Sequence, residues 1–319
     1  MSKLLTLVHK KYRTTTIIPP QFSYFAYYDP SDLSSLSQTF DGVVGNVNIG
    51  DPVGRIEDQS GNGRHLTQSV TAARPTLAQT SDGKYYLNFN GTSQYIRTEG
   101  TGINFDLRNR TIAMAIEENS ISSLNAGIFS ILPGITSGTV LSGTDWISAN
   151  GLSINTGTSD LFVATASSTT YTAFVSCLGR GTINPMVVVE QFSVGNFGSI
   201  KVNGEIIETD TTGVSSATSG SYGFQFGKRQ PDNIYFAGRL YGLVINNSVL
   251  DSSELQTVEN WLYSRLRYMN VVGSVTVVEL VGNTTPTTYT LTFDNGDEVV
   301  YPLYGNTTPT TYSLSISDS

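Results

Sequence analysis

The chain has 319 residues and a net charge of −8, with only 14% of its residues charged, against about 25% in an average globular protein. That acidic balance argues against nucleic-acid binding, which needs clustered Lys and Arg for phosphate contacts. Lys10, Lys11 and Arg13 form the one local basic run. A lone cysteine, Cys177, excludes an internal disulfide framework and a zinc cluster, and no segment approaches the roughly 18 apolar residues of a membrane span.

Residues 1–22 carry no clear period. Thr14 to Ile18 reads as an extended arm stiffened by Pro19-Pro20. The apolar run in MSKLLTLVHKKYR is too short for a secretory signal, so the leader is expected to stay on the mature chain. The absence of disulfides fits synthesis in a reducing cytoplasm.

From Phe22 onward the pattern is one of strands. Tyr24 to Tyr28 is the first, followed by Asp29-Pro30-Ser31-Asp32, where Asp29 caps a turn and Pro30 presets it. Val53 to Ile56 is a short strand, and DQSGNG (Asp58 to Gly63) a tight turn in which Gly61 and Gly63 supply positive φ. Tyr85 to Phe89 is a strand ended by Asn90-Gly91.

Further strands are predicted at 111–117, 127–132, 146–148, 151–154, 161–164, 171–178, 186–194, 198–202, 206–209 and 222–226, separated by Ser, Thr and Gly at sandwich-like spacing. Asn203-Gly204 marks a hairpin turn.

Residues 236–245 form the last strand of the series, and Asn246-Asn247-Ser248 turns the chain into a helix with a full start signature. Asp251 is the N-cap, Glu254 completes a capping box, and Leu250 with Leu255 makes a hydrophobic staple. Leu255, Val258, Leu262 and Leu266 give one apolar stripe, and Arg265 and Arg267 suit the C-terminal end of the dipole.

After Met269 the character changes. GNTTPTTY at 282–289 recurs at 305–312, each copy followed by alternating residues: Thr290 to Phe293, and Ser313 to Ile316. The pattern predicts two hairpin-like β-units, too small to bury much surface alone.

The order of these motifs resembles a known family. The Asp-Pro-Ser-Asp opening, DQSGNGRHLTQ, RPTL, YLNFNGTSQYI, the Asn203-Gly204 hairpin and the closing strand-then-helix are similar to concanavalin A-like (laminin-G-like) jelly-roll domains of bacteriophage virion and tail proteins. Those domains commonly have tryptophan where this chain has Glu57. The resemblance spans roughly residues 23–268. It implies an all-β, two-sheet antiparallel jelly-roll sandwich closed by one short C-terminal helix. The expected division is an arm at 1–22, the sandwich at 23–268 and a C-terminal β-repeat extension at 269–319, a small β-hairpin appendage.

No pair of carboxylates sits at the spacing retaining glycosidases use. Glu190 stands alone in VVVEQFSV, and Glu117 and Glu118 are adjacent, so they face opposite sides of a strand. The two histidines, His9 and His65, lie in the leader and after a glycine turn. No catalytic or cofactor-binding residue is therefore assigned, and the chain is expected not to be an enzyme.

Asp58, Ser60 and Asn62 alternate oxygen ligands across a glycine turn, the pattern a hard cation uses. Three such ligands without a closing acid fall short of a calcium loop, so calcium is the one cofactor admitted and an Asx-bonded turn is the simpler reading. Tyr24, Tyr27, Tyr28, Tyr85, Tyr95, Tyr222 and Tyr235 are candidate stacking platforms for a sugar, and the pattern does not separate exposed from buried ones.

The expectation is a virion structural protein, made in the host cytoplasm, displaying a lectin-like domain on a tail, fibre or capsid surface. Its partners would be other virion proteins through residues 1–22 or 269–319, further copies of itself, and host-surface glycans. The alternatives are a carbohydrate-binding adhesin and a glycoside hydrolase or lyase.

Overall fold

The computed structural model describes residues 24–43, 45–98, 103–106, 109–119, 126–133, 150–155, 160–167, 170–177, 185–193, 197–210, 219–229, 234–266, 287–293, 298–303 and 312–316. The chain divides into two compact units, Met1–Asn270 and Val271–Ser319.

The strands of the first unit begin with β1 (Ala26–Tyr28), β2 (Leu36–Ser37), β3 (Arg55–Ile56), β4 (Leu66–Thr67), β5 (Thr76–Gln79), β6 (Tyr85–Asn90), β7 (Ile96–Thr98) and β8 (Ile103–Asp106). There follow β9 (Arg110–Glu118), β10 (Ala126–Pro133), β11 (Asn150–Asn155), β12 (Asp160–Ser167), β13 (Thr170–Cys177), β14 (Met186–Ser193), β15 (Phe197–Val202) and β16 (Glu205–Asp210). The unit closes with β17 (Ser219–Phe226), β18 (Lys228–Arg229), β19 (Ile234–Tyr235), β20 (Ala237–Asn246) and the helix α1 (Ser252–Arg265). The second unit holds β21 (Thr287–Phe293), β22 (Glu298–Leu303) and β23 (Tyr312–Ile316).

Two sheets make the sandwich. The smaller runs β16-β15-β14-β9-β20-β6-β5, with β1 also on β20; the larger runs β13-β12-β11-β10-β17-β7-β4-β3-β2, with β8 on β17 and β19 on β10. Pairing is antiparallel except where β19 meets β10. One core lies between the sheets: Ile112, Met114, Ile116, Val188 and Leu243 from the smaller meet Ile96, Phe129, Ile131, Phe224 and Phe226 from the larger. The fold is the all-β two-sheet sandwich with one short helix that the motif order implies.

The central strands of the smaller sheet are buried on both faces, which is why β9, β14 and β20 read as nearly continuous apolar runs rather than alternating ones. Along β9 the large residues Ile112, Met114 and Ile116 face the sandwich core, while Ala113 and Ala115 join the second cluster under α1. Small side chains there let the helix come close. On β20 the register skips between Leu240 and Gly242, a β-bulge that puts Tyr241 and Gly242 both on the helix side. A Cβ on Gly242 would lie 3.0 Å from the Trp261 ring.

The helix starts as its sequence signature specifies. Asp251 Oδ1 accepts from the Ser253 and Glu254 backbone N–H groups at 2.8 and 2.9 Å, and Glu254 Oε2 accepts from Asp251 N at 3.0 Å. The stripe Leu255, Val258, Leu262 and Leu266 is buried, and Trp261 is buried beside it. Arg265 pairs with Asp29 at 2.8 Å, a tie to the start of the domain. Arg267 lies outside the described residues.

Each predicted strand of the middle segment is present except 146–148, which lies outside the described residues. Asn203 and Gly204 take φ of 48° and 84° at the β15–β16 hairpin, the double positive φ of a type I′ turn. The second unit is a three-stranded sheet in the order β22-β21-β23. β21 and β22 form an antiparallel hairpin. The second copy of the repeat does not make a separate hairpin: its strand adds to β21 in parallel, Tyr289 opposite Tyr312 and Leu291 opposite Leu314.

Candidate functional site

Burial sorts the seven candidate tyrosines. Tyr24, Tyr28 and Tyr222 are buried, and the Tyr28 hydroxyl is used internally on the Arg64 carbonyl. Tyr27 is half-buried, its ring edge-on to Tyr24 and to Trp261. Tyr85 packs against the sandwich core. Tyr95 and Tyr235, partly exposed like Tyr27 and Tyr85, pack against each other instead, at 6.5 Å between ring centroids.

What joins them is Lys228. Its Nζ lies 4.9 Å from the Tyr95 ring centre and 5.5 Å from that of Tyr235, a cation held against two aromatic rings. Lys228 is only 7% exposed. Burial, reinforced by the charge of Arg97, lowers its pKa from the ordinary lysine range.

The site's floor is the side of the larger sheet turned away from the core. Gln225 alternates with the core residues Phe224 and Phe226, and Ser130 with Phe129 and Ile131. Gln225 Nε2 donates to the Lys228 carbonyl at 3.0 Å, with Ser130 Oγ at 3.4 Å from the same oxygen. Arg97 is directly opposite Gln225 on β7. Tyr95 enters β7, and Tyr235 pairs with Lys228 across the β18–β19 ladder.

A concavity of about 320 Å³ lies elsewhere on the sandwich, lined by Tyr24, Phe25, Asn62, Arg64 and Asn246 to Ser248. Here the DQSGNG loop is tied to β1. Asp58 Oδ1 accepts from Tyr27 N at 3.1 Å and Ser60 N at 3.0 Å, and its Oδ2 from Arg64 N at 3.0 Å. Asn62 Nδ2 donates to the Tyr24 carbonyl at 2.9 Å. Arg64 lies 3.7 Å over the Phe25 ring.

The candidate cation ligands thus sit in one loop, but Asp58 spends both oxygens on backbone N–H groups, and Asn62 turns its amide nitrogen toward β1. No group of three His, Cys, Asp or Glu is arranged to hold a metal among the described residues. His65 belongs to the same loop, its Nδ1 accepting from Asp58 N at 3.1 Å. His9 lies outside the described residues.

Glu190, which stands alone in its sequence neighbourhood, and Glu117 both have basic partners. Glu190 forms a buried ion pair with Arg110. Glu117 Oε2 accepts from Arg239 at 2.9 Å and from the Tyr241 hydroxyl at 2.6 Å. Burial pushes the Tyr241 phenol well above its ordinary pKa. Glu118 is buried on the opposite side of β9, and burial raises its pKa to about 7.

Lys228, Gln225 and Arg97 carry no motif, and sequence reasoning missed them. Tyr95 and Tyr235 were among the candidates, but 140 positions separate them, and only the sheet order makes them neighbours.

No protein-family model matches the chain, and no curated protein matches it either. Solved structures do. The binding domain of botulinum neurotoxin DC, solved in complex with rat synaptotagmin II, is 14% identical with a TM-score of 0.50, over 76% of this chain and 52% of that one. A Trypanosoma rangeli sialidase is 12% identical with a TM-score of 0.47, over 76% of this chain and 33% of that one. A botulinum neurotoxin type C structure, whose cell entry depends on two ganglioside molecules, is 15% identical with a TM-score of 0.46, over 65% of this chain and 48% of that one.

The chain therefore spans about a third of the sialidase and about half of the neurotoxin structures. These likenesses are of fold alone and assign no activity. They do correct one expectation. The expectation that the chain is not an enzyme is withdrawn: a sialidase is among these structures, and a missing carboxylate pair is too narrow a test to exclude catalysis. That test covers one reaction geometry, whereas sialidases use a tyrosine nucleophile. At the level the comparisons reach, the chain is an all-β, two-sheet sandwich.

Proposed function

We propose that this protein is a glycan-binding, lectin-like component of a virion. The observation that carries the binding half is the Tyr95–Lys228–Tyr235 cluster on the outer side of the larger sheet. Partly exposed tyrosines offer apolar faces to a sugar ring and hydroxyls to its oxygens. The virion half is supported by the sequence resemblance to phage jelly-roll domains. On this reading the chain is made in the host cytoplasm. It attaches to other virion proteins through residues 1–22, 269–319 or both, associates with its own copies, and meets glycans on the host surface.

A glycan array probed with the full chain tests the first half. Binding to surface glycans, lost in Tyr95→Ala and Tyr235→Ala proteins of unchanged melting temperature, is the expected result. Binding untouched by both substitutions would remove the site. Immunogold electron microscopy of purified particles tests the second half, which fails if the chain is found only outside them.

A further inference from the structure

The cations at this site are unbalanced. Lys228 is buried against two rings, and Arg97 stands close enough to lower its pKa. Neither pairs with a carboxylate among the described residues. Elsewhere in the sandwich four such cations are matched by a carboxylate, Arg110 by Glu190, Arg239 by Glu117, Arg265 by Asp29 and Lys201 by Glu259, while Arg64, Arg74 and Lys84 donate to backbone carbonyls. A buried ammonium without a counter-ion is costly. The aromatic faces offset part of that cost, and an arriving anion would offset more. Beneath Lys228, the buried Gln225 Oε1 has no hydrogen-bond partner among the described residues, an acceptor left over in a site otherwise rich in donors.

We infer that the site takes an acidic sugar, with the ring against Tyr95 and Tyr235 and its carboxylate or sulfate held by Lys228 and Arg97. The inference rests on the glycan-binding reading and adds the ligand's charge. It also gives Lys228 a role that a neutral sugar would not. A charge-assisted hydrogen bond from a desolvated ammonium is roughly twice as strong as a neutral one.

Titration calorimetry on the full chain with matched sugars tests it. The pairs are 3′-sialyllactose against lactose, and trigalacturonate against its methyl ester; sulfated lactose separates sulfate from carboxylate. The acidic member should bind about tenfold or more tightly at low salt, with the advantage shrinking as salt rises. Lys228→Met keeps the aliphatic stem and should bring the ratio of acidic to neutral binding near one; Arg97→Gln should reduce it partway. Thermal melts establish that both variants fold. Equal binding of acidic and neutral members overturns the inference and leaves the glycan-binding reading standing. No binding by any of the sugars in either pair counts against both.

Discussion

Arg110 Nε donates to Glu190 Oε1 at 2.6 Å inside the sandwich, with side chains 0% and 1% exposed. The two lie on the neighbouring strands β9 and β14, and the guanidinium also covers the Phe192 ring at 4.4 Å. Burial raises the Glu190 pKa, and the Arg110 charge opposes that rise. Coulomb attraction in such a pair is largely offset by desolvation, but each partner alone is very costly. Glu190→Ala or Arg110→Ala should therefore lose about 3–5 kcal/mol. The double variant Arg110→Met, Glu190→Leu should lose far less than the sum. Urea unfolding of the three proteins decides it; additive losses would mean that the pair is not coupled.

Gly242 sets the distance between β20 and the helix. With a Cβ 3.0 Å from one Trp261 ring carbon and 3.2 Å from Leu262 Cδ2, alanine has to push α1 outward slightly, and valine considerably more. Overpacking of this kind costs about 1–3 kcal/mol. Gly242→Ala should fall near the low end and Gly242→Val near the high end. Near-ultraviolet circular dichroism should report a changed Trp261 environment in both.

The helix was legible because its signals are local. Asp251, Glu254 and the Leu255–Val258–Leu262–Leu266 stripe lie within sixteen consecutive positions, and each does what its spacing specifies. Individual strands were legible for the same reason. Partners across sheets were not. Glu190 looked solitary because Arg110 is 80 positions away, and nothing local to Lys228 announces Tyr95. Gly242 reads as an ordinary strand glycine until the bulge after Leu240 and the ring of Trp261 are in place. In the second unit the repeat was visible, but its parallel pairing was not. Two copies of one pattern can form separate hairpins or lie side by side, and local sequence does not choose.

Asp58 is the hub of the DQSGNG loop, accepting three backbone N–H groups from Tyr27, Ser60 and Arg64. Those donors are left without their acceptor in Asp58→Ala, at about 1.5–3 kcal/mol for each bond to a charged group that water does not replace. A fall in stability of roughly 2–4 kcal/mol is expected. Both Asp58 oxygens are already engaged, so millimolar calcium should leave the wild-type melting temperature unchanged, and EDTA likewise. A calcium-dependent rise of several degrees would show that the loop rearranges to bind the ion.

Glu118 gives the fold a dependence on pH. Burial raises its carboxyl pKa from 4.5 to about 7, so the folded chain keeps a proton that the unfolded chain releases. The resulting stabilisation is full below pH 4.5 and is lost as pH climbs through about 7. Unscreened, a shift of that size corresponds to about 3 kcal/mol; solvent screening reduces it to on the order of 1 kcal/mol. Glu190 has a raised pKa as well, so the wild-type profile contains both groups, and comparison with Glu118→Gln isolates the first. The glutamine variant cannot ionise, so it should gain stability relative to wild type at pH 8 and little at pH 4. Chemical denaturation at the two pH values measures the difference, and parallel profiles for the two proteins would show that Glu118 titrates as it does in water.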